Sequence, residues 1–192
     1  MYHILKQEHF NYDKKKVIVI SSSPKKGGDS DILCDEFIKG ASNAGHKIEK
    51  IFLRDKKINY CTGCHYCSTV DYTACSQKDD MAEILDKLQE ADTIVFASPI
   101  YFYSISGQMK TFIDRICARY THLENKEFYY ILTAADTSDA TIQFALGEFK
   151  GLMACLNNPK EKGYLFAGGV WQKGEIKETE YPQKAYEMGS NI

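Results

Sequence analysis

The chain has 192 residues, 44% of them hydrophobic, and its 24 basic and 26 acidic side chains give a formal net charge of −2. That length suits one domain with a filled core, and the near-neutral balance argues against the basic footprint of a nucleic-acid binder. No apolar run approaches the ~18 residues of a bilayer span, so no membrane partner is expected.

The opening segment, MYHILKQEHFNYDKKK, has neither the apolar core nor the small-residue cleavage site of a secretory signal. The expected location is the cytoplasm, where thiols stay reduced and structural disulfides are not expected. A single domain is expected, with about fifteen residues (1–15) as an N-terminal extension to it. VIVISSS (17–23) is a β-branched run ending in small polar residues, as a strand buried on both faces reads. A helical pattern follows from about Asp31, with Leu33, Phe37, Ala41 and Ala44 on one stripe and Gly45 at the place of a C-terminal cap. KIEKIFL (47–53) alternates, as a more peripheral strand does. After a cysteine-rich loop (57–78), DDMAEILDKLQEA starts a helix with acidic residues near its positive end. TIVFASP (93–99) predicts a third strand and GQMKTFIDRICARY a third helix. EFYYILTAA (127–135), ATIQFALGEFKGLMACL, GYLFAGGV (163–170) and PQKAYEMGSNI complete the alternation. Five strand–helix repeats predict right-handed crossovers and an α/β fold whose parallel sheet is covered on both faces.

Ligands of such sheets bind beyond the carboxyl ends of the strands. Three polar stretches should line that edge. SSSPKKGGDS gathers Ser21, Ser22, Ser23, Lys25 and Ser30 at a helix N-terminus, where hydroxyls, N–H groups and the dipole favour an anion. It is neither a Walker A loop nor a Gly-x-Gly-x-x-Gly fingerprint. The plain alternative is a polar turn with Ser30 as the helix cap. SPIYFYS brings Tyr101, Phe102 and Tyr103 to the same edge, where aromatics either pack a flat heteroaromatic ring or fill core and interface. AADTSDA is the third stretch. An anion site beside an aromatic bay suggests a planar cofactor with a monophosphate tail.

Four of the seven cysteines fall in one loop, NYCTGCHYCSTVDYTACSQKDD. Zinc sites usually pair two separated Cys-x-x-Cys knuckles. The continuous run of Cys61, Cys64 and Cys67 better suits three corners of a 4Fe–4S cluster, with Cys75 as the fourth. Bare thiols or a partial disulfide, and zinc, stay open as alternatives. Cys34, Cys117 and Cys155 fall on predicted helices and read as buried small hydrophobes.

SSSPKKGGDSD, CTGCHYC, DDMAEILDKLQEADTIVFASPIYFYSISGQMKTFIDR and the AYEMG ending resemble the NADPH-dependent FMN reductase family of flavodoxin-like proteins. The cysteine loop is similar to that of the iron–sulfur flavoprotein branch. The resemblance covers nearly the whole chain from about residue 16. It implies a flavodoxin-like three-layer sandwich with a five-stranded parallel sheet of order 2-1-3-4-5. It implies FMN, its phosphate at Ser21, Ser23, Lys25, Ser30 and Asp31. The ring would lie against Pro99, Ile100, Tyr101, Phe102, Tyr103 and Ser104, with the 134–139 loop, including Ala135 and Asp136, closing over it. In the first loop Ser-Ser-Ser-Pro-Lys departs from the usual Gly-Ser-Pro-Arg, so a point charge replaces a bidentate fork.

The expected function is transfer of electrons from NAD(P)H through FMN to a quinone, an azo or nitro compound, free flavin or a ferredoxin-like iron–sulfur partner. The expected assembly is a homodimer or homotetramer. The flavin performs the redox chemistry, so no catalytic side chain is named. A non-enzymatic iron–sulfur flavoprotein that relays electrons between proteins is the alternative, and a flavin-free regulatory module with a zinc loop is a third reading. Trp171 reads equally as a lid, a dimer contact or a packing residue.

Overall fold

The computed structural model describes residues 14–192, so all but two residues of the N-terminal extension lie outside the described residues. The strands are β1 (Lys16–Ser21), β2 (Lys47–Phe52), β3 (Thr93–Tyr101), β4 (Ser104–Ile105), β5 (Glu127–Thr133) and β6 (Lys160–Ala167). The helices are α1 (Asp29–Asn43), α2 (Tyr66–Thr69), α3 (Met81–Glu90), α4 (Gly107–Ile116), α5 (Asp139–Met153) and α6 (Tyr181–Ser190). Five strands pair in parallel in the order β2-β1-β3-β5-β6, which is the expected 2-1-3-4-5 arrangement. The sheet has a sixth strand beyond the five expected, because the chain turns back after β3 and β4 pairs with it antiparallel.

Alternation along β1 explains the layering. Ile18 and Ile20 face one side of the sheet, with Phe96, Phe112, Phe128 and Phe149. Val17 and Val19 face the other, with Leu33, Phe37, Val95 and Ile131. Burial of these side chains is the main driving force, at roughly 1.5–3 kcal/mol for each fully covered one. Phe96 sits at the centre of the first layer, 5.6 Å from Phe149 and 5.8 Å from Phe128 between ring centroids.

On the second side α1 and α6 pack closely because glycine stands at the crossing on both helices. A Cβ on Gly40 would overlap the Tyr186 carbonyl oxygen, and one on Gly189 the Phe37 carbonyl oxygen. The AYEMG ending thus owes its last residue to backbone contact between helices.

Three local expectations are corrected. Helix α1 begins two residues before the expected start, with Gly28 at the N-cap, so Ser30 lies inside the first turn and does not cap the helix. Cys34 is buried as expected, but Cys117 and Cys155 are exposed. Both fall where their helices end, Cys117 as the C-cap of α4 and Cys155 just past α5, so the apolar stripe does not extend to them. The last strand starts earlier than expected and stops at Ala167, where Gly168 packs against the Asp136 carbonyl.

Candidate functional site

The loops at the carboxyl ends of β1, β3, β5 and β6 surround one cavity of about 300 Å³. Ser23, Pro24, Lys25, Gly28, Asp29 and Ser30 line one end, and Pro99, Ile100 and Tyr101 a wall. Thr133, Ala134 and Ala135 come from the end of β5, while Val170, Trp171 and Lys173 come from beyond β6. The cavity therefore has a hydroxyl- and lysine-bearing end at the α1 N-terminus and an apolar remainder.

Of the residues singled out in the sequence, Ser23, Lys25, Ser30, Pro99, Ile100, Tyr101 and Ala135 line this cavity. The others have different surroundings. Ser21 is fully buried at the end of β1. Asp31 accepts from the Gly27 N–H at 2.8 Å and pairs with Lys50, so it braces the loop from behind. Ser104 donates to Glu148 at 3.0 Å. Asp136 accepts from the Ser138 N–H and hydroxyl and from the Thr141 hydroxyl, and those donors hold its carboxyl down at about 2.

Phe102 and Tyr103 form the tip of the β3–β4 hairpin. Both have positive φ, 50° and 64°, as primed two-residue turns require. Phe102 is 101% exposed, and Tyr103 meets Phe144 edge-on with centroids 6.1 Å apart.

Lys173 gave no signal in the sequence. The segment that carries it is strapped over the first loop. Asp29 accepts from the Gly174 and Ile176 N–H groups, both at 3.1 Å, and Glu175 accepts from the Trp171 and Gln172 N–H groups. The Lys173 ammonium consequently reaches within 4.0 Å of where a Cβ on Gly27 would sit. Among the described residues neither Lys25 nor Lys173 has a carboxylate partner. Two unpaired ammonium groups, hydroxyls and helix N–H groups at one end suit a phosphate, and Tyr101 and Trp171 suit a flat ring. FMN fits this lining.

The cysteine loop leaves the end of β2 and lies along α4. Arg115, near the end of that helix and 2% exposed, ties the loop at both ends. It donates to the Asn59 carbonyl at 2.7 Å, to both Asp79 oxygens at 2.7 and 2.9 Å, and to the Cys75 sulfur at 3.6 Å. Burial alone would raise the Asp79 carboxyl, but Arg115 and the Asn59 and Met81 N–H groups outweigh it and hold the group at about 2. Gly63 and His65 turn the backbone with φ of 64° and 59°.

Cys61, Cys64, Cys67 and Cys75 thereby line a single second cavity of about 160 Å³, which shares no lining residue with the first. A fifth thiol, Cys117, lines it as well. Among the described residues no group of three or more thiol, imidazole or carboxylate side chains stands at ligating distances. Four thiols around one small cavity nevertheless fit a 4Fe–4S cluster in donor type and number.

The sequence matches the family model for NADPH-dependent FMN reductase over residues 15–148. It is similar to an iron–sulfur flavoprotein of Archaeoglobus fulgidus, at 35% identity over 167 residues that cover 82% of this chain and 81% of that one. An iron–sulfur flavoprotein of Methanocaldococcus jannaschii is 41% identical over 100 residues, 52% of this chain and 51% of that one. The chain aligns with only about half the length of several such relatives. Among solved structures, an NAD(P)H:quinone oxidoreductase from Methanothermobacter marburgensis superposes with a TM-score of 0.74 at 16% identity, covering 93% of this chain and 96% of that one. An azoreductase from Bacillus anthracis gives 0.71 at 15%, covering 93% and 100%. These two likenesses establish the flavodoxin-like fold. With the match over residues 15–148, the relative aligned along most of both chains and the paired cavities, the chain belongs to the NADPH-dependent FMN reductase family of oxidoreductases, in its iron–sulfur flavoprotein branch.

Proposed function

We propose that the protein binds FMN in the 300 Å³ cavity and passes electrons from NAD(P)H to a small-molecule acceptor, a quinone, an azo or nitro compound or free flavin, or to a ferredoxin-like protein. The observation that carries this reading is one cavity with a cationic, hydroxyl-lined end at the α1 N-terminus and an aromatic, apolar remainder.

Ser23, Ser30, the first N–H groups of α1, Lys25 and Lys173 hold the phosphate dianion. Gly28 lets the loop fold closely onto the start of α1, because a Cβ there would crowd the Lys25 carbonyl and the Ser23 hydroxyl at 3.0 Å. Pro99, Ile100, Tyr101 and Ala135 hold the ring and exclude water from it. When bound, FMN accepts hydride and releases electrons singly or in pairs, so no side-chain acid or base is demanded.

Cys61, Cys64, Cys67 and Cys75 would hold the 4Fe–4S cluster, which supplies one-electron transfer. Their common cavity and the names of the relatives support this. A cytoplasmic setting, with thiols kept reduced, belongs to the same reading. The exposed aromatics Phe102, Tyr103, Phe144 and Trp171 support a homodimer or homotetramer that covers them.

The test compares FMN with riboflavin, which lacks the phosphate. Ser23→Ala combined with Ser30→Ala is expected to weaken FMN far more than riboflavin, by roughly 1.5–3 kcal/mol for each lost charge-assisted hydrogen bond. Equal weakening of the two would remove the loop from the phosphate site. Anaerobic addition of NADPH is expected to bleach the bound flavin's visible band.

A further inference from the structure

Cys117 belongs to no part of the four-cysteine motif, yet its sulfur stands 4.0 Å from that of Cys67. The two come from different elements. Cys67 lies in the first turn of α2 and is half-buried, whereas Cys117 caps the C-terminus of α4 and is exposed. Both line the 160 Å³ cavity. Other contacts occupy the neighbouring thiols. Cys64 meets the Ser76 hydroxyl at 3.3 Å, and Cys75 accepts from Arg115 at 3.6 Å and from the Gln77 N–H at 3.5 Å. From a 4.0 Å contact, side-chain rotation and a small shift of the exposed loop bring two sulfurs to the ~2.05 Å of a disulfide bond.

We propose that Cys67 and Cys117 are a redox-active dithiol that closes to a disulfide when the cysteine cavity holds no metal. The oxidant is a low-molecular-weight disulfide. One thiolate of the pair attacks it, forms a mixed disulfide and releases one small thiol; the second thiolate then attacks the protein sulfur of that mixed disulfide and releases the other. Two protein thiols are oxidised by two electrons, and one external disulfide becomes two thiols. Closure removes Cys67 from the cluster set, so oxidation gates cluster loading. This consequence rests on the cluster reading above, whereas the dithiol itself does not.

The test starts from the full chain, metal-free and fully reduced, treated anaerobically with oxidised glutathione. Thiol titration is expected to show the loss of two thiols, and peptide mapping without reductant to link the peptides holding Cys67 and Cys117. Cys117→Ser and Cys117→Ala are expected to lose that link and to retain bound glutathione. Both replace an exposed side chain, and their thermal unfolding serves as the check on folding. A link confined to the loop's own cysteines, or no loss of thiols, overturns the pair. Iron uptake from ferrous iron and sulfide is measured separately. The oxidised protein is expected to lose uptake and regain it on reduction, and equal uptake by both forms overturns the gating. If the reduced protein takes up no iron either, the cluster reading and the gating both fail, and peptide mapping still decides the dithiol.

Discussion

Asp79 and Arg115 are almost wholly buried, with side chains 3% and 1% exposed, and form a two-pronged pair. Removing one partner strands a charge away from water, so Asp79→Ala is expected to cost about 3–5 kcal/mol of stability in denaturant unfolding. Replacing both by apolar residues, Asp79→Leu with Arg115→Met, should cost less, because no unpaired charge remains. The pair also fixes a pH dependence. The folded carboxyl titrates at about 2, below the ordinary 3.8. Its contribution is therefore complete above the ordinary value and is lost as pH falls from about 4 towards 2. Urea midpoints of the wild type and Asp79→Asn should differ at pH 6 and converge near pH 2.

The β3–β4 hairpin places two aromatics where Asn-Gly would be the easy choice. Left-handed backbone costs a non-glycine residue about 1–2 kcal/mol, and Phe102 is too exposed to recover this by packing. In the dissociated chain, where no partner covers this tip, Phe102→Asn should therefore stabilise the fold by about 0.5–1 kcal/mol, seen as a higher unfolding midpoint. The α1–α6 crossing has the opposite character. Gly189→Ala sets a methyl group against the Phe37 carbonyl, and neither helix backbone can yield cheaply. A loss of about 1–3 kcal/mol is expected from such overpacking. An unchanged thermal midpoint would show that the helices separate freely at this crossing.

Lys173 reaches Gly27 of the first loop from 146 positions along the chain, and only the docking of the 171–176 segment on Asp29 brings it there. Lys173→Ala is expected to weaken FMN by roughly 1.5 kcal/mol, about tenfold, and to leave riboflavin nearly unchanged. Equal loss of both ligands would assign Lys173 to the ring side or to packing. Two separate cavities share one scaffold, one built by loops of the sheet edge and one by a loop against α4.

Much of this was legible before the structure. Buried parallel strands declare themselves as local apolar runs, so VIVIS, TIVFAS and FYYIL marked the sheet, and the small polar residues after them marked its working edge. Cys61, Cys64 and Cys67 needed only their spacing to be noticed. The hairpin was not legible, because Phe-Tyr carries none of the turn chemistry that normally announces positive φ. Nor were the exposed ends of α4 and α5 legible, since a helical stripe does not say where the helix stops. Local pattern thus determined the strands, the parallel alternation and the three loops, because burial and turn preference act between near neighbours. Lys173 beside Gly27, Arg115 across both ends of the cysteine loop and Cys117 against Cys67 were decided by tertiary structure alone. Each joins residues whose meeting depends on how separate elements pack, and one-dimensional spacing does not encode that.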